Sequence, residues 1–308
     1  MRKLLLTISA VALTFMSNAQ VIVAGVSPQP IVANYTFTWA DPASGWATPD
    51  FLIPGTYVQD TLMLVDDGSQ GTNAQGHPIA QEGCNPLINN LTGKIAVIYR
   101  NTCEFGMKAL NAQNAGAVAV IVINRDPEVI AMGAGASGAS VTIPVVMIQN
   151  SDGDAIVNQM ASGAVVMFLG NKTGLYANDG GVSPKATLLP KQAIVPSYIA
   201  QNGTEFNFDL GARVFNYGNQ AQATVSLNAK ITNTSGATVY DNSVTGLSIA
   251  AGDSTDVYPG GASTLPQFSL ATYPAGTYTV TYTVGLGVAD QYDADNVLTS
   301  TFTISDSL

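Results

Sequence analysis

The sequence predicts a two-domain chain, a β-rich α/β domain followed by an all-β sandwich of short antiparallel strands. Three observations carry this prediction. The 308 residues suggest two cores rather than one. The first half holds short, near-continuous Val/Ile-rich runs with a helical spacing between two of them, whereas the second half alternates apolar and polar residues with period two. Between the halves, YANDGGVSPKATLLPKQAIVPS carries three prolines, a Gly-Gly pair and no strong period, so residues 179–197 read as a linker.

In chain order, the first feature is MRKLLLTISAVALTFMSNAQ. Arg2 and Lys3 form a basic start, Leu4 to Phe15 an apolar centre, and Ser17-Asn18-Ala19 a small-x-small cleavage site. Residues 1–19 therefore read as a secretory signal peptide, too short and wrongly flanked to span a membrane. No later stretch approaches the ~20 apolar residues that a transmembrane helix requires. The expected product is a soluble chain starting at Gln20, secreted or held at the cell surface. Without Arg2 and Lys3, nine basic residues face 21 acidic ones, a formal net charge of −12. Such a chain, lacking any Lys/Arg cluster, is a poor partner for nucleic acid or an anionic membrane.

In residues 20–178, KIAVIYR (94–100), VAVIVIN (118–124), IPVVMIQ (143–149) and AVVMFLG (164–170) have the look of buried strands. Between the first two, Phe105, Ala109, Ala112 and Gly116 recur at helical spacing, giving a helix face small enough to approach a sheet closely. A second helix is predicted over 152–162, with Ser151 and Asp154 as a capping box and Gly163 as its stop. In residues 198–308, RVFNYGN, ATVSLNAKITN, TYTVTYTVGLG and VLTSTFTIS alternate and are separated by turn residues.

Several residues invite a chemical reading. Cys84 and Cys103 are the two cysteines, and an exported chain meets an oxidising compartment. Closing that loop by a disulfide is worth roughly 3 kcal/mol in the chain-entropy description; two free thiols are the alternative. Cys103 precedes a helix, where a thiolate would be favoured, but reactivity needs a free thiol and Cys84 offers a partner. His77 is the sole histidine, in the Gly/Pro/Asn-rich loop NAQGHPIA, and reads as a solvated loop residue rather than a catalytic base. One histidine and two cysteines exclude HExxH and Cys/His-cluster zinc sites. GAGASGAS (133–140) contains GxGxxG but leads into a strand, so it lacks the helix N-terminus a dinucleotide requires and reads as a flexible loop. In DQYDADN, the oxygens of Asp290, Asp293, Asp295 and Asn296 form a candidate Ca²⁺ site, although their spacing departs from the EF-hand and such clusters are ordinary hairpin residues. No other cofactor is expected.

Taken together, GCNPLI (83–88), LTGKIAVIYRNTCEFGMKALNAQNAGAVAVIVIN (91–124), MGAGASG (132–138) and IPVVMIQNSDGDAI (143–156) resemble the protease-associated (PA) domain. The family pattern has GC-x-P, then GKIA-x-x-RG-x-C-x-F-x-x-K, a helix ending in NA-x-x-AGA, a strand ending in Asn, and IP-x-x-x-I before a second helix. Asn101 departs from it, standing where the family usually has Gly. The resemblance implies a small β-rich α/β fold and supports a Cys84–Cys103 pair. It also implies a non-catalytic domain of the kind found in or beside subtilisin-like proteases, zinc aminopeptidases and sorting receptors, where it influences substrate access or binds protein segments. The second half is similar to CARDB and other immunoglobulin-like adhesion modules of exported bacterial proteins, in which a last strand like TFTISDSL usually continues into further modules. This chain stops at Leu308, so it is expected to be either short or the front of a longer protein.

The expected function is thus an exported, non-catalytic module that binds protein or peptide segments, with the sandwich as spacer or adhesion element. The alternative is an accessory region of an extracellular peptidase whose catalytic domain lies beyond Leu308 or on a partner chain. A third reading is a hydrolase using His77 and a serine. The candidate binding loops hold Gly83, Asn85 and Pro86; Arg100 and Asn101; and Met132, Gly133 and Gly135, all expected to lie near one another.

Overall fold

The computed structural model describes residues 21–306; the leader read over 1–19 lies outside the described residues. The first domain contains β1 (Val21–Ser27), β2 (Phe37–Trp39), β3 (Tyr57–Leu64), β4 (Ile95–Tyr99), α1 (Phe105–Asn114), β5 (Ala119–Ile123), β6 (Val145–Ile148), α2 (Asn150–Met160) and β7 (Val166–Asn171). Its seven strands form one sheet in the order β1-β7-β3-β4-β5-β6-β2. The centre, β3-β4-β5-β6, is parallel, and the flanking pairs are antiparallel.

Both faces of the parallel centre are covered, which is why its strands are continuous apolar runs. Ile95, Val97 and Tyr99, with Ile121, Ile123, Val146 and Ile148, pack on the α2 side around Ile156. Ala96, Ile98, Val120, Val122 and Met147 point the other way, onto Ala109 and Ala112 of α1. The four predicted strands thus become β4 to β7. The α2 helix differs from its prediction. It starts at Asn150, its N-cap is Gln149, and no side chain caps it. Ser151 falls inside the first turn, where its side chain cannot cap, and its amide donates to Asn150 Oδ1 at 2.7 Å.

The second domain contains β8 (Gly180–Leu188), β9 (Ile194–Pro196), β10 (Gly211–Asn216), β11 (Gln222–Thr232), β12 (Thr238–Ile249), β13 (Ser254–Val257), β14 (Gly276–Gly285) and β15 (Val297–Ser305). A three-stranded sheet β13-β10-β8 faces a five-stranded sheet β12-β11-β14-β15-β9. Their inner residues, Val182, Val214 and Val257 from one and Leu227, Ile231, Val280, Tyr282 and Phe302 from the other, share one core. This is an immunoglobulin-like sandwich, antiparallel apart from the short parallel pair β9-β15.

The linker reading of 179–197 is corrected here, because β8 and β9 occupy that stretch. Val182 and Val195 are core residues. The prolines that suggested a linker sit where sheets tolerate them. Pro184 falls where the β8-β10 register shifts, and Pro196 ends a three-residue strand at the sheet edge.

Candidate functional site

The Cys84–Cys103 disulfide forms, with Cα atoms 5.7 Å apart, and ties the 83–86 loop to the 100–103 loop. Beneath it Glu82 and Lys108 are buried. Lys108 Nζ donates to the Glu82 carbonyl at 2.6 Å and to the Tyr99 carbonyl at 3.3 Å, and lies 3.6 Å from Cys84 Sγ. Burial pulls Lys108 down to about 8 against the attraction of Glu82. Burial also pushes Glu82 upward, but hydrogen bonds from Asn101, Asn73 and Thr102 outweigh it and hold the carboxyl below its usual range. Asn101, the departure from the family pattern, donates to Glu82 Oε1 at 2.9 Å and so faces inward. Asn85 is likewise spoken for, its amide on Asp67 at 3.1 Å and its side chain on Ser69 at 3.2 Å.

The glycine loop adjoins the same region through α1. Glu104 Oε2 accepts from the Ala136 amide at 3.0 Å, and Gly135, at φ +58°, lies against that carboxylate. Met132 is a correction to the candidate list. It is buried in the core, and its carbonyl accepts from Trp46 Nε1 at 3.0 Å. Gly133 is exposed beside it.

Of the predicted candidates, Arg100 lines a pocket. The pocket has a volume of about 250 Å³ and is bounded by Gln75, His77, Tyr99, Arg100, Asn124, Arg125, Asn150 and Asp154. It opens at the carboxyl ends of β4, β5 and β6, where ligands gather in open parallel sheets. The backbone ladder continues past the strands, Arg100 N donating to Ile123 O at 2.8 Å and Asn124 N to Ile148 O at 2.9 Å, which places these polar residues side by side.

His77 departs from the solvated-loop reading. Its ring stacks on Tyr99 with centroids 3.7 Å apart, and Nε2 lies 3.7 Å from Asp154 Oδ1. The Asn73 side chain positions this histidine by accepting from the amides of Gln75 and His77. Tyr99 donates to Asp154 Oδ1 at 3.4 Å, and burial followed by the Asp154 charge pushes its hydroxyl up to about 12. Arg100 lies over the Phe105 ring at 5.7 Å and donates to Asn124 at 2.7 Å and Asp126 at 3.1 Å. Among the described residues that line the pocket there is no serine, threonine or cysteine. The sequence signal for this site was the polar residue closing each apolar run, as in IYR, VIN and IQN.

The Asp290–Asn296 loop is put to a use other than the one suggested by its oxygens. Asp290 Oδ2 accepts from the Gly180 amide at 2.9 Å, and its Oδ1 from the Tyr292 amide at 2.8 Å. Asp295 Oδ2 lies 3.2 Å from Lys172 Nζ, which also contacts both oxygens of Asp179 at 2.5 Å. The rings of Tyr217 and Tyr292 flank the same ammonium at 4.5 and 4.4 Å. A lysine ammonium thus faces Asp295 of this loop. Among the described residues no group of three or more His, Cys, Asp or Glu is arranged to hold a metal.

A parallel-centred sheet with a polar pocket at its strand ends defines a small β-rich α/β domain. Residues 40–156 match the family described as PA domain, and the chain therefore carries a PA domain followed by a sandwich. The chain is 34% identical over 120 residues to Aminopeptidase YwaD of Bacillus subtilis, covering 37% of this chain and 26% of that protein. It is 39% identical over 90 residues to Signal peptide peptidase-like 3 of Arabidopsis thaliana, covering 29% and 17% respectively. The matched region thus spans about a quarter or less of these relatives. Among solved structures, the CARDB domain of a Pyrococcus furiosus protein in complex with di-metal ions aligns at a TM-score of 0.28 and 15% identity, covering 43% of this chain and 92% of that one. Among the described residues, no helix is long and apolar enough to cross a membrane.

Proposed function

We propose that this chain is an exported, non-catalytic recognition module whose PA domain binds a peptide segment in the pocket at the ends of β4, β5 and β6. The supporting observation is the pocket itself. Its lining offers guanidinium, amide, imidazole, phenol and carboxylate groups and no aliphatic side chain, which suits a main chain rich in donors and acceptors. The disulfide and the Glu82–Lys108 network hold the adjoining loops rigid, so binding orders little that is not already ordered.

The experiment is a peptide array probed with the purified chain, wild type and Tyr99→Ala, alongside an unfolded casein substrate followed by mass spectrometry. Spots retained by the wild type and lost by the variant support the reading. Casein cleavage abolished by His77→Ala would overturn it. A second reading, an accessory region of a peptidase, is favoured by the likeness to Aminopeptidase YwaD. Co-purification of a peptidase with the chain from its own cell would bring that reading to the front.

A further inference from the structure

The pocket is unusual for so acidic a chain. The sequence has only four arginines, and two of them, Arg100 and Arg125, line this one cavity. Arg100 is fixed by the Phe105 ring on one side and by Asn124 on the other, with its side chain 17% exposed. A guanidinium held in this way keeps its planar fork ready for a two-oxygen acceptor. Arg125 is carried on the next strand end. Its backbone amide donates to Asn124 Oδ1 at 2.9 Å, the same oxygen that accepts from the Arg100 guanidinium. The first residue of the 11-residue α2 helix, Asn150, adds the positive end of a helix to the same wall.

The negative groups nearby are accounted for. Asp154 is engaged by Tyr99 and His77. Asp126 Oδ2 lies 3.1 Å from Arg100 Nη1 and 3.6 Å from Arg125 Nε, on a half-exposed side chain outside the cavity lining. One carboxylate of the chain thus already bridges the two guanidiniums from the rim. Arg100 and Arg125 thus balance Asp126 at the rim and Asp154 in the lining, and a ligand carboxylate enters by taking the place of Asp126 between the two guanidiniums.

We propose that the pocket recognises a carboxylate, held between Arg100 and Arg125, from the free C-terminus of a peptide or from an acidic side chain. This rests on the reading of the pocket as a peptide site. A cavity of about 250 Å³ admits one terminal or side-chain group rather than a folded surface. The stacked His77–Tyr99 pair supplies an aromatic wall for the residue that carries it. Asp126 acts as a competitor, so its removal strengthens binding.

The test uses the purified chain labelled with ¹⁵N, titrated with acetyl-tetraalanine as the free acid, as the amide, and as an amide with one alanine replaced by Glu. The readouts are the Arg100 and Arg125 Nε–H resonances and the affinities. The expected result is movement of both resonances by the free acid or by the Glu-containing amide, at least tenfold tighter binding of that peptide than of the plain amide, and weakening by added salt. Which of the two binds identifies the source of the carboxylate. Arg125→Gln should weaken it at least fivefold and Asp126→Asn should tighten it. Both side chains are about half exposed, so folding should survive each change. Equal binding of acid and amide, with pocket resonances moving, would overturn the carboxylate assignment and leave the peptide reading standing. No movement of any pocket resonance by any of the three would remove both.

Discussion

At the residue scale, Lys108 is a charged group held inside the first domain. Its ammonium is fully buried and satisfies two backbone carbonyls beside the disulfide, facing the buried Glu82 carboxylate. Replacing such a group leaves its partners desolvated and unpaired, which costs more than the pair contributes. Lys108→Met should therefore lower stability by roughly 3–5 kcal/mol in urea unfolding. A loss below about 1 kcal/mol would mean that water replaces the ammonium without penalty. The same residue explains why helical spacing described α1 incompletely. The buried face includes Gly106 and Lys108 as well as Ala109 and Ala112, and the lysine is inside because its partners are carbonyls from two other segments.

At the element scale, α1 is seated by a missing side chain. A Cβ on Gly106 would lie 2.1 Å from the Ala134 carbonyl oxygen. In an exposed helix interior, Gly→Ala gains about 1 kcal/mol; here Gly106→Ala should instead destabilise by about 1–3 kcal/mol, since the glycine loop must shift. Thermal unfolding of the single variant separates the two signs. The loops tied by Cys84–Cys103 give a second prediction at this scale. Reduction restores the freedom of a loop with a sequence separation of 19, about 3 kcal/mol, and at roughly 2–4 °C per kcal/mol should lower the melting temperature by about 6–12 °C. An unchanged melting temperature with reductant would show that the buried Lys108 network, not the cross-link, holds these loops.

At the scale of the whole molecule, the two domains meet around Lys172. The second domain's Tyr292 packs on Ile22, Ala24 and Phe168 of the first and donates to Asn34. Beside it, two carboxylates share one buried ammonium. Burial, set against the Lys172 charge and reinforced by the neighbouring acids, pushes Asp179 up to about 7 and Asp295 up to about 6, from 3.8. A folded-state value above the unfolded one means that the native state holds a proton which the unfolded chain has released. The stability from these groups is present below about pH 4 and is lost as pH rises through 6 and 7. Asp67, Glu82 and Asp256, held below their usual values, act oppositely, their contribution disappearing as pH falls below the ordinary carboxylate range. The melting temperature should therefore peak near about pH 5 and decline toward pH 8. Asp295→Asn, which leaves one carboxylate for one ammonium, should flatten the decline. A variant as pH-dependent as the wild type would show that the junction does not titrate.

The sequence alone determined the two-domain order, the four core strands of the first domain, the period-two strands of the second and the cysteine partnership. Each is written locally, in runs such as IAVIY and TYTVTYTV whose burial follows from the spacing of their own residues, or in a count that left each cysteine one partner. Tertiary structure decided what depends on residues distant in the chain. His77 looked like a solvated loop residue until Tyr99 and Asp154 closed on it, and Met132 like a loop residue until Trp46 covered it. The Pro-rich 179–197 stretch became two strands because β10 and β15 supplied the partners that its own pattern did not announce. The acidic Asp290–Asn296 loop faces a lysine more than a hundred residues away, and an ion pair of that kind has no local signature.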